Sequence, residues 1–165
     1  MRVSMQGVSL VYGLLGALAL ALLVAAYTDI RRRQIDNALN LAIAAAAPAF
    51  WWASRWGWGD IAWQLGLALA ALVVLAGLFA IGAMGGGDVK LLVALALWTP
   101  PLPFAQLLLV MAVAGGILTL GMGAWHVAKR RRDRLAIPYG IAIAGAGLWV
   151  IWAYQIPLAA HAATS

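Results

Sequence analysis

Apolar residues in this chain come in long unbroken runs, not in the alternations or three-to-four spacings of a water-soluble fold. The first run covers Gly7 to Thr28 and holds no charged residue. About 20 residues at 1.5 Å each cross the hydrocarbon core of a bilayer, so this run predicts a membrane-spanning helix. A cleaved signal peptide is the competing reading. It fits poorly, because only Arg2 precedes the run, the run is too long, and three arginines follow it directly. A second run, Ala38 to Ser54, contains Pro48 and predicts a kinked helix. Arg55-Trp56-Gly57-Trp58-Gly59-Asp60 reads as a turn, and a third run goes from Ile61 to Met84. Gly85-Gly86-Gly87-Asp88 then leads into a short run, Val89 to Trp98, stopped by Thr99-Pro100-Pro101-Leu102-Pro103. The fifth run is Phe104 to Val127. The sixth starts near Ile137-Pro138-Tyr139-Gly140 and stops by Ile156-Pro157, leaving a short tail expected to fray. The pattern predicts an all-α, polytopic membrane protein of about six transmembrane helices, with residues 1–165 forming one domain.

Composition agrees. The 165 residues are 65% hydrophobic and 10% charged, with a mean hydropathy of +0.95. Soluble domains carry about 25% charged residues, and a core of this size cannot hide so much apolar surface. The net charge of +6 reads as basic loops that set orientation, with no nucleic-acid partner implied. With the N-terminus outside, the inner side holds Arg31, Arg32, Arg33, Lys90, Lys129, Arg130, Arg131, Arg132 and Arg134, nine of eleven basic residues; Arg2 and Arg55 stay outside. The Lys129–Arg134 cluster also suits contact with anionic lipid. Trp51, Trp52, Trp56, Trp58, Trp63, Trp98, Trp149 and Trp152 fall at outer helix ends and Trp125 at an inner one, the pattern of an interfacial belt. Both termini are therefore expected outside.

The candidate chemistry is narrow. With no cysteine, disulfides, thiolate metal sites and cysteine nucleophiles are excluded. His126 and His161 are too few and too far apart to suggest a metal site, and no cofactor is implied. All five acidic residues are aspartates. Asp29 and Asp88 lie at the inner ends of the first and fourth runs, where an ionisable side chain is costly and marks a functional candidate. Two carboxylates brought together in a poorly solvated site share one proton. The ionised partner can then draw a proton from water while the protonated one polarises a carbonyl. Glycines beside Asp88 leave room for another backbone. Plainer readings remain open: Asp88 as the N-cap of the fourth helix, Asp29 as an interfacial charge answering Arg32 or Arg33, or the pair as ion-binding groups of a small carrier. The fourth run is only about 15 Å long as a helix. Either it takes in the proline-rich segment, or Asp88 lies deep.

Gly85-x-Gly87-Asp88-x-Lys90-Leu91 resembles the GxGD motif of the prepilin peptidases, the polytopic aspartic peptidases that process type IV pilin-like precursors. Asp29-Ile30-Arg31 through Ile35-Asp36-Asn37 is similar to that family's other segment, a helix-end aspartate followed by an Ile-Pro-Asn turn. Pro138-Tyr139-Gly140-Ile141-Ala142 is similar to its Pro-Tyr-Gly motif. The GxGD motif alone is shared with presenilin-like proteases; the three motifs in family order are more specific. The resemblance implies that Asp29 and Asp88 are catalytic, and that Gly85, Gly87, Lys90, Asn37, Pro138, Tyr139 and Gly140 shape the site. It implies a partner with a short basic leader and an apolar helix, cut at their junction on the cytoplasmic side of the bacterial inner membrane. Long family members also N-methylate the product and carry Cys-x-x-Cys pairs. This chain looks like the short peptidase-only form of Tad/Flp pili. One departure stands out: Asp36 occupies the place of the family's usual proline, adding a carboxylate read here as a solvated loop charge.

Overall fold

A computed structural model of the chain describes residues 5–128 and 139–164. Arg2, the Lys129–Arg134 cluster and Pro138 lie outside the described residues, as do the side chains of His126 and His161. The described residues are helical almost throughout: α1 (Met5–Arg32), α2 (Asn37–Ala53), α3 (Trp58–Ala80), α4 (Gly86–Ala96), α5 (Pro101–Ala128) and α6 (Tyr139–Val150). Helix α6 runs on through a π-helical turn (Ile151–Gln155) into α7 (Ile156–Thr164). With that last rod counted once, the described residues form an all-α bundle of six helices. Four of them, α1, α3, α5 and the rod from Tyr139, are long and apolar enough to cross a membrane. Leucines and valines on their outer faces, such as Leu20, Leu69, Val73 and Leu120, are exposed as lipid-facing residues are expected to be.

Three boundaries differ from the sequence reading, each for a local reason. Trp58-Gly59-Asp60 is not a turn but the start of α3, where Asp60 Oδ2 accepts the Gly57 N–H at 3.0 Å and caps the helix. The proline-rich segment does not merely stop the fourth run. Pro101 opens α5 at the first helical position, where a missing N–H costs nothing. The tail does not fray at Pro157, for the wider π turn before it accommodates the missing N–H and the helix continues to Thr164.

Helix α4 organises the bundle. Its 11 residues cover about 16 Å, and it packs against α2, α3, α5 and α6. Leu91, Leu92, Leu95 and Ala96 are essentially inaccessible. A helix that ends inside a bundle leaves its last carbonyls without partners, which apolar surroundings penalise. Side chains from three neighbours supply the donors. Gln64 of α3 donates to the carbonyls of both Ala96 and Thr99. Trp51 of α2 donates to Leu97 O at 2.8 Å, and Gln155 of the π turn to Trp98 O at 3.0 Å. Trp98 itself donates to Ile43 O at 2.8 Å and stacks on Phe50. Trp51 and Trp98 are thus buried structural donors, whereas Trp52, Trp58, Trp63 and Trp152 are widely exposed as a belt requires.

Candidate active site

The opposite end of α4 carries the candidate site. Asp29 sits in the last turns of α1 and Asp88 in the first turn of α4, and both line one cavity of about 360 Å³. The rest of its wall is Arg33 to Asn37, the joint between α1 and α2, with Gly85, Gly86 and Gly87. The topology therefore brings together two carboxylates 59 positions apart in the chain.

Asp29 is buried, at 6% exposure. Its Oδ2 accepts the backbone N–H of Gly140 at 2.8 Å. Gly140 is the second residue of α6, so its N–H is one of the donors a helix leaves free at its start. The carboxylate of one helix thereby caps another. This contact replaces the expected answer to Arg32 or Arg33. It also requires glycine: a Cβ at residue 140 would lie 2.7 Å from Oδ2 and 2.9 Å from Cβ of Asp29.

Asp88 is half-buried at the third helical position, and Gly85 holds the N-cap place that the sequence left open to Asp88. Burial pushes its carboxyl up from 3.8 to about 6, and the neighbouring Asp29 carboxylate adds to that rise. The Gly85 N–H, bonded to the carboxylate, pulls the other way. Asp88 lies outside the four long spans, at the polar mouth of the cavity.

Two contacts tie α2 to the glycine-rich turn. Asn40 Nδ2 donates to Gly87 O at 3.2 Å, and Lys90 Nζ donates to Asn37 Oδ1 at 2.8 Å. Lys90 thus answers Asn37. A Cβ added at Gly87 would meet Ile35 at ordinary contact distance. Asp36 is exposed on the cavity rim, at the N-cap position of α2, with no side-chain capping bond.

Gly140 therefore touches Asp29, and Gly85, Gly87 and Asn37 line the cavity beside Asp88. Tyr139 does not line it. The Tyr139 ring lies on Gly115 of α5 and its hydroxyl is 3.3 Å from Thr119 Oγ1, so it seats α6 against α5. Asn40, Gln64 and Gln155 escaped the sequence reading. Their signal was present: each is an amide inside an apolar run, and each is at least 94% buried. Among the described residues, no three histidine, aspartate or glutamate side chains gather as a metal site would require.

Fold and site together define a polytopic helical membrane protein with two carboxylates lining one cavity. The model of the type IV leader peptidase family matches residues 16–120, a stretch containing both aspartates. The chain belongs to that family, a family of peptidases acting on prepilin-type substrates. Neither a curated protein nor a solved structure shows significant similarity to it.

Proposed function

We propose that this chain is a membrane aspartic endopeptidase that removes the leader from Flp-like prepilin precursors on the cytoplasmic side of the membrane. The reading is carried by one observation: Asp29 and Asp88 open onto the same cavity, within the stretch that matches the family. In this mechanism the pair carries one proton. The ionised carboxylate takes a proton from a water molecule as its oxygen attacks the scissile carbonyl, and the protonated one hydrogen-bonds the carbonyl oxygen. Collapse of the tetrahedral intermediate breaks the C–N bond and a carboxyl proton passes to the leaving nitrogen. No metal or organic cofactor is required. The open, polar mouth would receive the hydrophilic leader, and the apolar helix of the precursor would stay in lipid beside the bundle.

The resemblance to the short, peptidase-only form of the family supports cleavage without N-methylation. The basic residues at the ends of the runs support an active site facing the cytoplasm of a bacterial inner membrane and both termini outside.

The test is cleavage of a tagged Flp-type precursor in membranes by wild type, Asp29→Asn and Asp88→Asn at matched expression. Loss of a general acid or base costs about 10²–10⁴-fold, so each substitution should abolish visible shortening of the precursor. Cleavage by either variant at the wild-type rate would remove that aspartate from the mechanism.

A further inference from the structure

Three helices of the bundle end with a residue in the left-handed backbone region: Arg33 after α1 (φ 52°), Arg55 after α2 (φ 56°) and Gly82 after α3 (φ 75°). This position ordinarily falls to glycine, because a Cβ is disfavoured there. Gly82 follows that rule. Arg33 and Arg55 do not, and they lie at opposite ends of α2. A non-glycine residue held in that region is a reason to look for a use of its side chain. Arg55 has no place in the cavity. Arg33 lines the cavity that contains Asp29 and Asp88.

Arg33 is also uncommitted. Its backbone N–H closes the end of α1 on Asp29 O at 2.8 Å, yet among the described residues its exposed guanidinium has no ion pair or hydrogen bond. Among the described residues it is the one cation in a wall that carries three carboxylates, since Lys90 is held by Asn37 and lies outside the lining. A guanidinium presents its donors in a planar fork that matches a carboxylate. Peptide hydrolysis generates such a group: water's oxygen stays on the acyl carbon, the nitrogen leaves with a proton, and the leader fragment ends in a new carboxylate.

Resting on the peptidase reading, we propose that Arg33 binds the carboxylate created at the end of the leader fragment, and the carbonyl oxygen that precedes it in the uncut chain. Arg33 is then a substrate- and product-binding residue of the site, and glycine is absent from the end of α1 because the fork is needed there.

Binding tests this without relying on turnover. The probe is a synthetic leader from the same Flp-type precursor, ending at the junction of basic leader and apolar helix, made as a free acid and as a carboxamide. Affinities are measured by microscale thermophoresis on purified wild type, Arg33→Gly, Arg33→Lys and Arg55→Gly. Wild type and Arg55→Gly should prefer the acid by about tenfold or more, in line with a charge-assisted bidentate pair. Arg33→Gly should bind acid and amide alike, and Arg33→Lys should fall between. Both glycine variants should melt no lower than wild type, since glycine relaxes the left-handed backbone. Equal binding of acid and amide by wild type, a preference that survives Arg33→Gly, or no binding of either peptide would overturn the assignment. Precursor cleavage is assayed on the same preparations. An acid preference lost in Arg33→Gly, without cleavage by wild type, would retain Arg33 as a carboxylate site and reject the peptidase reading instead.

Discussion

The Gly140 N–H donates to Asp29 Oδ2 across 111 positions of sequence, at 2.8 Å, and there is no room for a side chain between them. A methyl group at residue 140 would meet not only the mobile end of the Asp29 carboxylate but also its Cβ, at 2.9 Å, which is fixed to the α1 backbone. Helix α6 would have to move away from α1. Gly140→Ala should therefore lower precursor cleavage by about 100-fold or more, because small displacements of reacting groups are that costly. Gly145→Ala in the same helix meets nothing within 4 Å and should leave cleavage within about threefold, as expected for a substitution without contacts. Equal activity of the two variants would mean that the cap on Asp29 has no part in positioning it.

The pH dependence follows from Asp88. Its folded-state carboxyl titrates at about 6, above its ordinary 3.8. Between those values the folded protein binds more protons than the unfolded chain, so stability falls as pH rises through the window and the loss is complete above it. The size is on the order of 2–3 kcal/mol, at about 1.4 kcal/mol per pH unit. Melting in detergent should thus be higher near pH 4.5 than near pH 7.5, with Asp88→Asn showing a flatter profile. Cleavage should decline as pH rises past about 6, when Asp88 gives up its proton. A cleavage rate that climbs steadily from pH 6 to 8 would be incompatible with a protonated Asp88 in the reaction.

Gln64 is the most exacting structural residue. It donates to both Ala96 O and Thr99 O at the buried end of α4 and is itself 2% exposed. Replacing it by leucine fills similar volume but strands two carbonyls, each an unmet acceptor in apolar surroundings. Gln64→Leu should destabilise by about 2 kcal/mol or more, read as a lower melting temperature and a loss of detergent-extractable folded protein. Asp88 lies at the far end of the same short helix, so cleavage per folded molecule should fall less than stability does. An unchanged melting temperature would show that these carbonyls find other donors.

The sequence made the helices legible because lipid imposes a composition that needs no tertiary context. Asp29 and Asp88 were legible for the same reason, as charges at the ends of runs that otherwise exclude them. The short α4 was harder. So short a run cannot by itself say whether a helix is completed by its neighbours, and the answer lay in Gln64, Trp51 and Gln155, far off in sequence. Trp51 and Trp98 misled in a similar way. Composition placed them in an interfacial belt, but an indole N–H serves a buried carbonyl as readily as a lipid headgroup. Tyr139 was legible as part of a motif but not as a residue that seats α6 on Gly115, since a motif reports co-occurrence and not direction. The left-handed backbone of Arg33 left no trace in the sequence, where it stood among three arginines as one more orientation charge.

Asp36 gives a prediction that runs towards greater stability. Its backbone, at φ −63° and ψ 134°, already has the φ that a proline ring imposes. Its carbonyl accepts from Leu39 and Asn40 at 3.1 and 3.2 Å, bonds that a proline keeps. Among the described residues its own N–H has no acceptor, so the donor that proline lacks is not missed. Asp36→Pro should therefore stabilise by about 0.4–1 kcal/mol, through the narrower freedom of the unfolded chain. The substitution also takes one of three carboxylates from the cavity rim without touching Asp29 or Asp88. Turnover at saturating precursor should stay within about threefold of wild type, as for other surface changes away from the reacting groups. If Asp36 helps hold a basic leader, the precursor concentration needed for half-maximal rate should rise, and more so at low salt, where exposed charges are least screened. A lower melting temperature would mean that the joint between α1 and α2 needs the Asp36 N–H after all.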